Sequence, residues 1–403
     1  MSEAHMDRRR LMRSVAVAGG AAATAHLIAR TPAEARARVA AAGPILKPLP
    51  PEWFIDHGTN AEMRWEAMRG QGTYVPNDRF FVRNHTRTPV IDARTWRLEL
   101  FGTGLRGTPT AENPLRFTYG ELLALPSVSV GAIVECAGNG RSFFGTQQGT
   151  PASGTPWRLG GAGLARWRGV RLSTVLRRAG LLGSAVDVQP EGLDPDFVSG
   201  GVNLGRVRRP LPIAKALDDV LLAYEMNGEP LPPDHGFPVR VIVPGWVGIS
   251  SIKWVGRIEV SSEPLHSPWN TRFYRLFGPA YPPEGSDPIS EQVTKSAFEL
   301  PWNATLPVGR TTRLTGRSWS PHHPIRRVEV SVDGGATWRG AHLSGPDRGW
   351  RRWSFPWRPE NTGPATLVAR AVDATGAVQP ARTTPNTFGY LFGAAVHHPV
   401  LVA

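Results

Sequence analysis

One cysteine stands in 403 residues, within the string Val134-Glu135-Cys136-Ala137-Gly138-Asn139-Gly140-Arg141. Small residues after the thiol leave room for a bulky partner at the sulfur. The arginine five positions on favours the thiolate that a soft metal needs. A buried, inert thiol is the competing reading, and the local string does not separate the two. Other residues of chemical interest are scattered. Phe80-Phe81-Val82-Arg83-Asn84-His85 is a short apolar run ending in three polar groups that could face a site, though a single histidine there is more often structural. His235 and Arg240 flank Gly236-Phe237-Pro238-Val239. Only four of the 46 basic residues are lysines (Lys47, Lys215, Lys253 and Lys295), so each retained lysine calls for a reason. Lys253 beside Trp254, flanked by apolar residues, suggests an anion to be met; a snorkelling stem is the plain alternative.

The elements that must position these groups can be sketched. Val128, Val130 and Ile133-Val134 predict a buried strand ending at the cysteine, and Gly138-Asn139-Gly140 must then turn sharply. Trp96 to Leu100 alternates as a half-buried strand, and Thr118 with Glu121 predicts a capping box. The glycine-rich segment 149–163 holds Trp157 and matches no phosphate-loop or dinucleotide fingerprint; Ser173 is placed to cap the helix that follows. Leu221 to Met226, Val239 to Val243 and Arg257 to Val260 read as further strands. The stretch 266–290 is Pro-rich and reads as a linker. Beyond it, short strands recur every 8–12 residues, and Asp333-Gly334-Gly335 supplies a hairpin turn, which predicts an immunoglobulin-like β-sandwich over 291–403. No catalytic constellation is visible there, so binding or oligomerisation is the expected task.

Composition bounds the function. The net charge of +13 invites a nucleic-acid role, but the arginines are dispersed and no run of five or six occurs, so none is expected. Such a surface suits small anions or an acidic electron-transfer partner. At the start, Arg8-Arg9-Arg10 precedes an uncharged, alanine-rich stretch, and Ala33-Glu34-Ala35 offers a cleavage site. This is the layout of a twin-arginine export signal over 1–35, and it implies a periplasmic or extracellular location. A lone cysteine in an oxidising compartment has no disulfide partner in its own chain, so something else should protect it.

Together and in order, these strings resemble the sulfite oxidase family of mononuclear molybdenum enzymes. The resemblance rests on Phe81-Val82-Arg83-Asn84-His85, Glu135-Cys136-Ala137-Gly138-Asn139, Leu222-Ala223-Tyr224-Glu225-Met226-Asn227-Gly228, His235-Gly236-Phe237-Pro238-Val239-Arg240 and Ile252-Lys253-Trp254, and spans nearly all of the chain after the export signal. It implies an α+β molybdopterin-binding domain over 36–265, a linker over 266–290, and a sandwich over 291–403 that forms a homodimer. It further implies Cys136 as the molybdenum ligand. The pyranopterin would be held by Phe81, Val82, Arg83, Asn84, His85, Asp194, His235, Arg240, Ser251, Ile252 and Lys253. The oxyanion pocket would comprise Arg83, Arg141, Trp157 and Tyr224. The expected reaction is oxygen-atom transfer to sulfite, with no haem in this chain and electrons passing to a separate acceptor such as a cytochrome c. Where animal members carry a further pocket arginine, this chain has Phe388 in Asn386-Thr387-Phe388-Gly389. A sulfane-sulfur dehydrogenase or an S- or N-oxide reductase on the same cofactor is therefore the alternative. A cofactor-free secreted binding protein is the remote one.

Overall fold

Sheets dominate because β-branched and aromatic residues recur in short runs punctuated by 44 glycines and 38 prolines, which leave little room for long helices. A computed structural model of the chain describes residues 43–403. The expected export signal, 1–35, and the first residues of the domain expected to follow it lie outside the described residues. The longest described helix, Leu172–Arg178, has seven residues. No helix among the described residues is long and apolar enough to cross a membrane.

Two five-stranded sheets build the cofactor-domain half. One orders Glu229–Pro230, Leu221–Met226, Ala162–Arg171 and Ser127–Glu135, with Arg240–Ile242 also paired to Leu221–Met226. The other orders Leu211–Pro212, Asp187–Gly192, Val255–Ser261, Arg97–Phe101 and Leu115–Thr118. The cysteine strand Ser127–Glu135 pairs antiparallel with Ala162–Arg171 over its whole length. Its first half is not buried as expected: Val128 and Val130 are half-buried between exposed residues, and only Ala132 to Glu135 enter the core. The capping box forms, Thr118 Oγ1 accepting from the Glu121 N–H (3.1 Å) and Glu121 Oε2 from the Thr118 N–H (2.7 Å). Ser173 caps nothing. The strand ending at Arg171 runs directly into the helix, which Leu172 opens with its N–H on the Val220 carbonyl (2.9 Å), and Ser173 is buried inside it.

The C-terminal half is the expected sandwich. A four-stranded sheet (Lys295–Phe298, Thr312–Trp319, Trp350–Trp357, His342–Ser344) faces a five-stranded one (Ala304–Leu306, His397–Val402, Gly363–Asp373, Ile325–Ser331, Arg339–Gly340). Phe298, Leu314, Val328, Trp353, Phe355, Leu367 and Val400 fill the space between them. Gly334 and Gly335 take φ of 73° and 101°, the left-handed region that the hairpin turn requires.

The two halves meet through polar as well as apolar groups. Arg317, fully buried, holds Glu299 Oε1 (2.6 Å) and donates to the carbonyls of Gly72 (2.9 Å) and Thr73 (3.1 Å) at the end of a short 3-10 turn in the first half. Trp350 Nε1 donates to the same Thr73 carbonyl (2.6 Å). Trp65 of that turn stacks on Trp319 at 5.6 Å. The stretch expected to be a linker packs inward as well: Trp269 is fully buried and Tyr274 is 4% exposed.

Candidate active site

A cavity opens where the cysteine strand ends. Its wall carries Cys136 and Ala137 from that strand's turn, and Phe81, Arg83, Asn84 and His85 from the 80–85 segment. Asp194, His235, Arg240, Ser251, Ile252 and Lys253 close it. The thiol is held by its backbone: the Cys136 N–H donates to the Gly161 carbonyl (2.9 Å), and the Cys136 carbonyl accepts from the Asn139 N–H (2.9 Å). Among the described residues no group of three or more His, Cys, Asp and Glu side chains could hold a metal ion. A metal here would have one thiolate from the protein and must bring its other ligands with it.

The walls are cationic, and their donors are partly unspent. Arg240 donates Nη1 to the His235 carbonyl (3.0 Å) and Nη2 to the Ser251 carbonyl (3.1 Å), and burial draws it down to about 9. Its Nε and Arg83 Nη1 are buried without a partner among the described residues. An unmet buried donor costs about 1–3 kcal/mol, so two of them beside one cavity fit an anionic occupant. Lys253 Nζ donates to Asn84 Oδ1 and to the Asp234 carbonyl (2.8 Å), and burial holds it far below the usual lysine range. Burial first, and then the Arg83 and Lys253 charges, keep His85 neutral. Its Nε2 must accept, because Trp269 Nε1 donates to it (3.1 Å); Nδ1 therefore carries the ring proton. His235 is likewise neutral, through burial and the cations Lys47, Lys253 and Arg240. Asp194, 2% exposed, is pushed up to about 6 by burial against the pull of its own backbone bond and of Lys253. The residues fit a phosphate-bearing pterin: cations and free donors for the anion, a carboxyl acceptor at Asp194, and one thiol.

Several expected site residues sit elsewhere. Val82 is fully buried in a small cluster with Ile45, Phe54 and Ala61, so only its backbone can reach the cavity. Trp157 stands one layer back, edge-on to Phe81 (6.2 Å) and His57 (5.6 Å). Arg141 is also one layer back, donating Nε to the Phe388 carbonyl (2.7 Å) and Nη1 to the Thr155 carbonyl (2.8 Å). Its guanidinium lies over the Tyr390 ring at 5.6 Å and against Gly138, where any side chain would strike it. Tyr224 does not line the cavity. Side-chain alternation along its strand sends Ala223 into the cluster containing Cys136 and Tyr224 into the other, where Arg168 covers its ring at 6.0 Å. The phenol that lines the cavity is Tyr274, stacked on Tyr390 at 5.1 Å.

Lys47 is a further residue the sequence left unassigned. Its Nζ donates to the Phe80 carbonyl and lies 3.5 Å from His235 Nε2, and burial brings it down to about 7. Its one signal was being a lysine in an arginine-rich chain. Asp234, also unassigned, anchors the segment that carries Lys47 by accepting from the N–H groups of Leu46 (3.0 Å) and Lys47 (2.7 Å).

Comparison with known proteins agrees with this cavity. Residues 85–269 match the family described as "Oxidoreductase molybdopterin binding domain", and residues 289–402 match "Mo-co oxidoreductase dimerisation domain". Mitochondrial sulfite oxidase of Mus musculus is 37% identical over 344 residues, covering 81% of this chain and 60% of its own length. Sulfite oxidase of Gallus gallus is 38% identical over 330 residues, covering 77% of this chain and 69% of its own. The sulfane dehydrogenase SoxCD of Paracoccus pantotrophus has a similar structure, with a TM-score of 0.73 at 27% identity over 94% of this chain and 92% of that one. This chain thus spans 60% of the mouse relative's length. With a lone thiol at the wall of a cavity lined by Arg83, Arg240 and Lys253 and both domains matched, the chain belongs to the sulfite oxidase family of molybdenum oxidoreductases.

Proposed function

We propose that the protein oxidises sulfite to sulfate by oxygen-atom transfer and passes two electrons to a separate acceptor such as a cytochrome c. The observation that carries this is the setting of the one thiol: Cys136 shares a cavity with Arg83 and Tyr274, and Arg141 stands behind its turn. A molybdenum pterin, held by Cys136 Sγ, Arg240, Lys253, His85 and Asp194, would supply the transferable oxygen and accept the two electrons. The chain's own residues supply the rest. Arg83 keeps its charge: burial opposes it, but the Tyr274, Cys136 and Tyr390 side chains outweigh burial and push the guanidinium up. Its free Nη1 is a fixed donor to one oxygen of the anion. Arg141, one layer behind the wall with Nε and Nη1 held by carbonyls, adds its positive charge from behind. Arg83, with the Arg141 charge behind it, orients the substrate before reaction. Tyr274 donates a hydroxyl proton to the anion and keeps it, because burial holds the phenol above its ordinary range. Phe81, with Trp157 behind it, excludes water. Export, supported by the N-terminal sequence, and a homodimer, supported by the matched dimerisation domain, are part of the same proposal.

The test is sulfite-dependent reduction of ferricyanide by molybdenum-loaded protein. Turnover is expected, and Cys136→Ser should abolish it while the fold survives. One feature favours a second substrate. Phe388 lies among Phe273 (5.9 Å), Phe277 (6.0 Å) and Tyr390 (5.5 Å), an aromatic group that carries no cation of its own. That setting suits a sulfane-sulfur substrate with less charge than sulfite. If fully loaded protein does not turn over sulfite, a sulfane-sulfur donor under the same conditions should give turnover.

A further inference from the structure

We propose that Lys295, on the first strand of the C-terminal sandwich, is a positioning residue for the Cys136 thiolate. This rests on the assignment of Cys136 as the metal ligand. Lys295 and Glu135 are each 2% exposed, and they form an ion pair. Glu135 is the residue immediately before the cysteine, and all of its acceptor capacity faces inward. Oε1 takes Lys295 Nζ and Asn139 Nδ2 (2.9 Å), and Oε2 takes Trp319 Nε1 (2.8 Å). Lys295 also donates to the Asn139 carbonyl (2.8 Å). Asn139 then reaches both sides of the thiol. Its N–H holds the Cys136 carbonyl, and its Oδ1 accepts from the Gly161 N–H (2.9 Å), whose carbonyl takes the Cys136 N–H.

The Cys136 carbonyl is therefore one hydrogen bond, and its N–H two, from Asn139, which Lys295 holds both directly and through Glu135. Two more side chains beyond residue 290 brace the same strand, Trp319 on Glu135 and Gln292 Nε2 on the Ile133 carbonyl (3.0 Å). Well-packed apolar residues can often stabilise a buried position as well as an ion pair does. What Lys295 adds is direction: one ammonium donating to two acceptors at either end of the metal-ligand turn. The C-terminal sheet is thus part of the metal site and not only a dimerisation module.

The test uses full-length Lys295→Met/Glu135→Gln, in which neither charge is left alone, with and without cofactor. Cys136 is the sole cysteine, so alkylation by iodoacetamide at one fixed pH reports that turn alone. A melting temperature near wild type is expected, together with at least tenfold faster alkylation of the cofactor-free protein and shifted g-values for reduced, molybdenum-loaded enzyme. A folded double variant with wild-type alkylation and an unchanged spectrum overturns the proposal. Should the double variant not fold, Trp319→Phe removes one donor from the same carboxylate and leaves a smaller aromatic ring in its place. About threefold faster alkylation is then expected, and no change is the overturning result. Alkylation needs no molybdenum, so failure of the functional assignment would show separately, as wild-type protein that takes up no metal.

Discussion

Tyr274 is ringed by Arg83, Arg141 and Arg209, three cations that would each favour its ionised form, yet burial and the neighbouring Cys136 keep its phenol above the ordinary range. A proton that stays on is what a hydrogen-bond donor to an anion needs. Tyr274→Phe should therefore lower kcat for sulfite by about 10- to 100-fold. Tyr224→Phe should stay within about twofold of wild type, since that ring packs under Arg168. Steady-state kinetics on both variants decides between the two tyrosines. The reason the sequence points to Tyr224 and the cavity to Tyr274 is physical. Tyr224 lies in a strand with a recognisable pattern, while Tyr274 lies in a Pro-rich stretch whose irregular backbone leaves no periodicity from which to infer where a side chain points. Cys136, the sole cysteine, and Lys253, one of four lysines, stood out by type, whereas His85, Asp194 and Arg240 were singled out through the family resemblance.

At the scale of elements, the turn after the cysteine strand does two things. It closes on Asn139, and at Gly138 it leaves a surface bare enough for the Arg141 guanidinium to rest on. Arg141→Gln should raise KM for sulfite at least about tenfold with a smaller change in kcat. Gly138→Ala should move KM in the same direction, because the new methyl displaces the guanidinium without removing it. Measuring both separates loss of the charge from its misplacement. The strand itself was only half legible. Its alternating valines suggest burial throughout, but an edge strand paired on one side leaves its outer half in contact with solvent, and only Ala132 to Glu135 are covered.

For the whole molecule, burying so many ionisable groups around one cavity links stability to pH. Asp194 titrates at about 6 in the folded chain against 3.8 as its ordinary value, mainly because it is buried, with Lys253, Arg206 and Arg83 the cations that oppose the rise. The folded state therefore binds the proton more tightly than the unfolded one. The stability Asp194 contributes is fully present below about pH 4 and is lost as pH rises through about 6, at most on the order of 2–3 kcal/mol. Denaturant titrations of cofactor-free protein should show this decline between pH 4 and 6, and Asp194→Asn should flatten it.

Arg317 and Trp350 lend the chain a history as well as a seam. Both end on carbonyls of residues 68–73 in the other half, bonds that read backbone position and not side-chain identity. Such contacts tolerate drift in the sequence they grip but not in its length. Among relatives, substitutions can accumulate at Arg69, Gln71 and Thr73, outside the buried Trp65 and Met68, whereas an insertion or deletion there would have to be matched on the sandwich. A chimera that exchanges C-terminal halves between members should succeed or fail according to the loop length of the recipient more than its percentage identity.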